Sequence, residues 1–157
     1  MKKSLVITTI NKPNNNIKLF SKYSKKNKWD FIVIGDRKTP KNFKIKYGNY
    51  FDLNSQKKLI FKFSKKCPKN NYARKNIGYL ISIKSNADII VETDDDNYPK
   101  KNFFDEKKLK HFVSEIRNKS WVNIYDLFVK KKSYVWPRGL PLEHINKNKI
   151  LLKKKIL

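Results

Sequence analysis

Two apolar runs constrain what this chain can fold into more than any other feature. Ser4-Leu-Val-Ile-Thr-Thr-Ile10 and Asp30-Phe-Ile-Val-Ile-Gly35 both read as strands, the second stopped by Gly35-Asp36. Between them, Asn11-Lys-Pro-Asn-Asn-Asn16 carries turn and cap chemistry. Ile17, Leu19, Phe20 and Tyr23 then fall at helical spacing, so a helix is predicted to about Lys26. Strand, loop, helix and strand in that order predict a parallel pair with a right-handed crossover. The apolar part of the opening Met-Lys-Lys-Ser-Leu-Val-Ile-Thr-Thr-Ile is short and broken by threonines, which suits a first strand better than a signal peptide.

A third run, Ile89-Ile90-Val91, leads directly into Glu92, Asp94, Asp95 and Asp96. A continuous β-branched stretch is what a strand covered on both faces looks like. Like charges crowded at its end repel, and are tolerable when solvated or when a divalent cation sits among them. Mg²⁺ and Mn²⁺ are hard cations that take oxygen ligands, often one or two carboxylates plus substrate phosphates. A metal–diphosphate site is therefore expected at the carboxyl end of this strand, the usual ligand position in open α/β sheets. The plainer alternative is an acidic surface turn that caps the next segment of chain. The chain has 13 acidic against 38 basic residues, and four of the 13 lie between Glu92 and Asp96, a concentration that favours a site.

Elsewhere, Lys44-Ile-Lys-Tyr and Tyr50-Phe-Asp-Leu are expected to be short strands or extended loop. A helix starts near Asn54-Ser55 and covers Leu59, Ile60 and Phe63, and a linker runs over 65–71. Residues 72–85 form a helix that ends at Asn86. Residues 105–117 form an amphipathic helix with Asp105 and Glu106 in its first turn and Leu109, Phe112, Val113 and Ile116 on its inner face. Trp121-Val-Asn-Ile-Tyr and Phe128-Val are strands around a turn at Asp126. Residues 136–143 form a rigid loop, and the lysine-rich tail from about 146 frays or ends as a short helix.

With 157 residues the chain is read as one domain. Its 39% hydrophobic content argues against wholesale disorder, and no apolar run approaches the ~20 residues of a membrane span. A single cysteine, Cys67, excludes an internal disulfide and favours a reducing compartment, so a cytoplasmic location is expected. Cys67 lies in a basic linker, which would lower its pKa, but without a nearby histidine dyad it reads as structural. His111 and His144 offer no zinc constellation. The net charge of +25 invites a nucleic-acid reading. Against it, the lysines are scattered and accompanied by asparagine and isoleucine, as an A/T-rich coding sequence would give, and arginine is scarce.

Three loops would share one carboxyl edge of the sheet. They are Thr8-Thr9-Ile10-Asn11, Gly35-Asp36-Arg37-Lys38 and Glu92-Thr93-Asp94-Asp95-Asp96. An acid at the end of a second strand commonly accepts hydrogen bonds from ribose hydroxyls, although a cap or turn aspartate looks the same. Neither a Gly-x-Gly-x-x-Gly turn nor a P-loop is present, so phosphate binding must use a metal, basic side chains and helix N-termini. Arg74 sits in the first turn of its helix, where the dipole disfavours a cation. That position hints at another partner for it.

Ile7-Thr-Thr-Ile-Asn-Lys-Pro, Phe31-Ile-Val-Ile-Gly-Asp-Arg-Lys-Thr-Pro, Tyr72-Ala-Arg-Lys-Asn-Ile-Gly-Tyr-Leu, Ile90-Val-Glu-Thr-Asp-Asp-Asp-Asn and Trp136-Pro-Arg-Gly-Leu-Pro-Leu-Glu together resemble the STELLO-like glycosyltransferase family. That family is itself distantly similar to the reversibly glycosylated polypeptides, or UDP-arabinopyranose mutases. The resemblance covers residues 4 to about 145. It implies a GT-A-like fold, a mostly parallel sheet flanked by helices, holding a nucleotide-diphospho-sugar (a UDP-sugar above all) through Mn²⁺ or Mg²⁺. By the same analogy Asp94 and Asp96 hold the metal in an Asp-x-Asp motif. Thr8, Thr9, Asn11, Asp36, Arg37 and Asp95 line the nucleotide pocket, and Asp94, Arg74 and Arg138 are the catalytic candidates. The implied activity is hexosyl or pentosyl transfer to a glycan, lipid or protein acceptor. Such enzymes usually continue well past the Trp-Pro-Arg-Gly loop, and this chain stops at Leu157. A minimal enzyme, half of a split one and a C-terminally truncated, non-catalytic remnant all stay open. So does the competing reading, a non-enzymatic basic module for polyanions.

Overall fold

The computed structural model describes residues 1–105, 112–117, 121–128, 135–145 and 152–156. It divides into two compact units, Met1–Asp105 and Glu106–Leu157, taken separately below.

The first unit is an α/β layer structure. Strands β1 (Lys3–Thr9), β2 (Asp30–Gly35), β3 (Asn49–Phe51) and β4 (Ile89–Asp94) form one parallel sheet in the order β3-β2-β1-β4. Helices α1 (Asn15–Lys26) and α4 (Lys75–Lys84) flank it. Alternation along the central strands separates two cores. Leu5, Ile7, Phe31 and Val33 pack with Ile17 and Phe20 of α1. Val6, Ile32 and Ile34 pack with Ile77 of α4 and Cys67. Val6, Ile7 and Leu5 have no exposed surface, which is why β1 reads as an unbroken apolar run. α1 begins where the Asn14 side chain accepts from the Ile17 amide at 2.9 Å, and it ends with Lys25 and Lys26 in the last turn, favourable for its dipole.

The expected strand, helix and parallel strand are thus present, and so is the GT-A-like parallel sheet flanked by helices. Three local expectations in this unit change. β4 is an edge strand of the described sheet, with Ile89, Ile90 and Val91 only partly buried, so it is not covered on both faces. Its hydrogen-bonded stretch also runs through Glu92 to Asp94 instead of ending before the acids. The single helix over 54–63 is two short ones, α2 (Leu53–Lys57) and α3 (Lys62–Lys66), separated where Phe61 adopts an extended backbone. That break leaves Ile60 exposed while Leu59 packs against the α4-side core.

In the second unit β5 (Phe112–Ile116) pairs antiparallel with β6 (Leu152–Ile156). The helix expected through 105–117 is therefore a strand over 112–116, and the tail expected to fray or end as a short helix supplies its partner. Leu109 lies outside the described residues. Residues Ile124–Leu127, expected to be strand and turn, form a 3-10 turn. Asn123, almost fully buried, caps it by accepting from the Tyr125 amide and donates to the Val135 carbonyl at 2.7 Å. The expected rigid loop is present around Gly139, whose φ of 91° lies in the left-handed region. Trp136 Nε1 closes it onto the Leu140 carbonyl at 3.2 Å.

Candidate functional site

Sheet order decides where a ligand can sit. From β1 the chain steps outward through β2 and β3, then returns to place β4 on the other side of β1. The strand order thus reverses at β1, and such a switch point opens a crevice at the carboxyl edge of a parallel sheet. A cleft of about 460 Å³ lies at this edge, a size that suits a small-molecule site. It is lined by Thr8, Thr9 and Asn11 after β1, by Gly35, Asp36 and Lys38 after β2, by Asn71, Tyr72 and Arg74 before α4, and by Asp94, Asp95 and Asp96.

The acidic turn is stitched to the loop after β1. The Asp95 carboxylate accepts from Thr9 Oγ1 and, at 3.0 Å, from Asn11 Nδ2. Asn14 Nδ2 donates to the Asp95 carbonyl at 2.8 Å, and Asn16 Nδ2 to the Asp96 carbonyl at 3.0 Å. Thr39 Oγ1 accepts from the Asp36 amide at 2.8 Å and donates to the Thr9 carbonyl at 2.7 Å, joining the loops after β1 and β2.

Asp36 forms one wall with Arg74. Its carboxylate accepts from the Arg37 amide at 2.7 Å and the Asn71 amide at 3.3 Å, and lies 3.9 Å from Arg74 Nε. Arg74 is 3% exposed. One terminal nitrogen donates to the Cys67 and Pro68 carbonyls, each at 3.1 Å, and the other to Gln56 Oε1. Gln56, wholly buried, uses its amide nitrogen to reach the Gly35 and Phe51 carbonyls, both at 2.7 Å. The partner that the helix dipole demands for Arg74 is thus a buried frame of carbonyls, Gln56 and Asp36. Cys67 lies under this frame, where burial pushes its thiol pKa up, opposite to the lowering expected from its basic linker.

On the α4 side, Lys75 Nζ sits 2.8 Å from both Glu92 Oε2 and Asp94 Oδ1. Tyr79, one turn further along the helix, donates its hydroxyl to Glu92 Oε2 at 2.9 Å. Burial works against the Lys75 charge, but the bonds to Asp94 and Glu92 prevail and hold its pKa up. The same lysine and the Tyr79 hydroxyl hold the Glu92 carboxyl down.

Thr8, Thr9, Asn11, Asp36, Arg74, Asp94, Asp95 and Asp96 therefore share one cleft. Arg37 is exposed beside it and is absent from its lining. Arg138 belongs to the second unit, where it opens the turn before Gly139. Sequence reasoning missed Gln56, Lys75 and Tyr79. Only the four-residue spacing of Lys75 and Tyr79 and the two-residue spacing of Glu92 and Asp94 could have suggested that they share faces. Among the described residues no group of three His, Cys, Asp or Glu side chains forms a ready cation cage. The donor set is all oxygen. It suits a hard cation that draws one or two carboxylates from protein and the rest from a diphosphate and water. No described helix is long and apolar enough to cross a membrane.

No family model matches the chain. Among curated proteins it is similar to the Arabidopsis thaliana protein named "Probable glycosyltransferase STELLO1", with 32% identity over 130 residues, covering 74% of this chain and 17% of that protein. "Probable glycosyltransferase STELLO2" of the same plant is 31% identical over 130 residues, with the same coverage. The chain thus spans about a sixth of the length of these relatives, 17% in each case. Over that stretch the chain is STELLO-like, a distant relative of the two plant proteins.

Proposed function

We propose that the first unit binds a nucleotide-diphospho-sugar together with Mn²⁺ or Mg²⁺ and serves sugar transfer to a glycan, lipid or protein acceptor. The observation that supports this best is the convergence of three strand-end loops on one cleft, which Asp94–Asp96 line together with Thr8, Thr9, Asn11 and Asp36. Similarity to two proteins named "Probable glycosyltransferase" supports the reaction class. In this reading Asp36 accepts from ribose hydroxyls, and Thr8 and Asn11 offer a hydroxyl and an amide to the nucleoside. Asp94 and Asp96 hold the cation, while Asp95 keeps the acidic turn in register through its bonds to Thr9 and Asn11. The bound cation supplies Lewis-acid neutralisation of charge on the departing nucleoside diphosphate. Arg74 keeps a positive charge at the cleft wall without itself moving.

The test is thermal stability with a panel of UDP-sugars, with and without Mn²⁺. A ligand at about 100 times its Kd adds about 2.7 kcal/mol, which raises Tm by roughly 5–10 °C in a chain of this size. That rise is expected only when metal is present and is lost in Asp96→Ala. Absence of metal-dependent stabilisation by any nucleotide sugar refutes the reading. The net charge of +25 supports a second reading, binding of polyanions through lysines. It predicts strongly salt-dependent binding that is indifferent to Asp94–Asp96.

A further inference from the structure

Lys75 is the first residue of α4, where the helix dipole disfavours a cation. It stays because two carboxylates share its ammonium group at equal distances of 2.8 Å. These two partners differ. Glu92 is fixed from a second direction by the Tyr79 hydroxyl and does not line the cleft. Asp94 lines the cleft, is 57% exposed, and stands two residues further along the same strand.

We infer that Lys75 is the resident counter-cation of Asp94, a positioning residue whose exchange with the divalent ion sets metal affinity. This rests on the metal-dependent reading of the cleft. With no divalent ion, the ammonium group neutralises Asp94 and keeps its carboxylate oriented at the cleft wall. When the ion arrives, Lys75 gives up Asp94 and remains on Glu92, so its charge stays paired throughout. Glu92 acts through Lys75: it is the partner to which the lysine retreats, and Tyr79 holds it in place for that purpose. Lysine suits the role because its compact head on a flexible stem can shift between neighbouring oxygens without losing all its bonds.

The probe is Mn²⁺ alone, titrated into the full chain and followed by the loss of the free-ion electron paramagnetic resonance signal. Lys75→Met leaves Asp94 without its competitor and should tighten Mn²⁺ binding by about two- to fivefold, the scale of a partly exposed ion pair. Glu92→Gln removes the charge to which the lysine retreats and should weaken binding by a similar factor. The double variant decides between exchange and a general field. If Glu92 acts through Lys75, adding Glu92→Gln to Lys75→Met changes nothing further. If Glu92 merely adds negative charge, the double variant loses affinity as the single one did, and the inference fails. It fails equally if Lys75→Met binds Mn²⁺ no better than the parent. Thermal melts of each variant confirm that the fold is intact. Parallel titrations with UDP present keep the two claims apart. UDP-enhanced Mn²⁺ binding with an unresponsive Lys75→Met sinks only the lysine exchange. No Mn²⁺ binding with or without UDP sinks the cleft reading and the exchange with it.

Discussion

Replacing Gln56 isolates the frame beneath the cleft. Its side chain has no exposed surface and makes three bonds, two donated to the Gly35 and Phe51 carbonyls and one accepted from Arg74. The arrangement dictates the amide orientation, since a flipped amide would face its nitrogen to a guanidinium donor. Gln56→Leu keeps the bulk but strands two carbonyls and one guanidinium nitrogen. Each unsatisfied buried group costs about 1–3 kcal/mol, and relaxation recovers part of the sum, so the expected loss is roughly 3–5 kcal/mol. That corresponds to a Tm drop of roughly 6–20 °C. Gln56→Glu is the sharper variant. It offers Arg74 a carboxylate and would strengthen that contact, yet it turns its second acceptor oxygen toward two carbonyls. It should therefore destabilise despite the complementary charge. Urea unfolding of both variants measures the effect. A Gln56→Leu loss under about 0.5 kcal/mol, the range of ordinary surface changes, or a Gln56→Glu protein more stable than the parent, would refute the argument that Gln56 is held by its two donors.

Packing and titration each supply a further prediction. A Cβ on Gly78 would collide with Val6 Cγ1 and come within 3.3 Å of Ile34 Cγ1. Gly78→Ala should thus lose about 1–3 kcal/mol to overpacking, less up to about 1 kcal/mol of gained helix propensity. Combining it with Val6→Ala should be less than additive in chemical denaturation, and strict additivity would remove the contact from the account. The acid limb of stability should be set in part by Asp52 and Glu92. Asp52 is held down by bonds from the Ser55 hydroxyl and amide, and Glu92 by Lys75 and Tyr79. Both have folded values below their ordinary ones of 3.8 and 4.5, so their contribution is complete above those values and disappears as pH falls through the folded ones. Asp52→Ala should shallow the stability slope below about pH 4 and remove the α2 cap, at about 1 kcal/mol. An unchanged slope between about pH 4 and 2 would show that the cap carries no such linkage.

β1, α1 and β2 were legible in the sequence because both faces of the central strands are buried, and only apolar residues satisfy that demand. The same logic misread Ile89-Ile90-Val91, since a partly buried edge strand of three β-branched residues looks identical to a central one. Phe112, Val113 and Ile116 fit a helical stripe as well as a strand. Their pairing with residues 152–156, some forty positions away, decided between the two. In the cleft, the acids and strand-end hydroxyls were readable because their residue types are unusual for this chain or fall at strand ends. Gln56 and Lys75 were not, because a glutamine among polar residues and one lysine in a lysine-rich chain acquire meaning only from what the fold places beside them. Arg74 was legible as an anomaly at a helix start, but its carbonyl partners come from the linker at Cys67 and Pro68.

The stitch of Thr9 and three asparagines to the acidic turn joins residues 80–86 positions apart. Such distant closures are slow, because the intervening chain must be ordered before they form. Here the last strand to be synthesised in the sheet is also the one that carries the acids. During synthesis β1, β2 and their helices precede β4, so they can assemble while the cleft has its Asp36–Arg74 wall but still lacks the acidic turn. Docking of β4 then completes the sheet edge and the cleft in one event, so under the proposed function nucleotide binding by a nascent chain would report that this unit has finished folding.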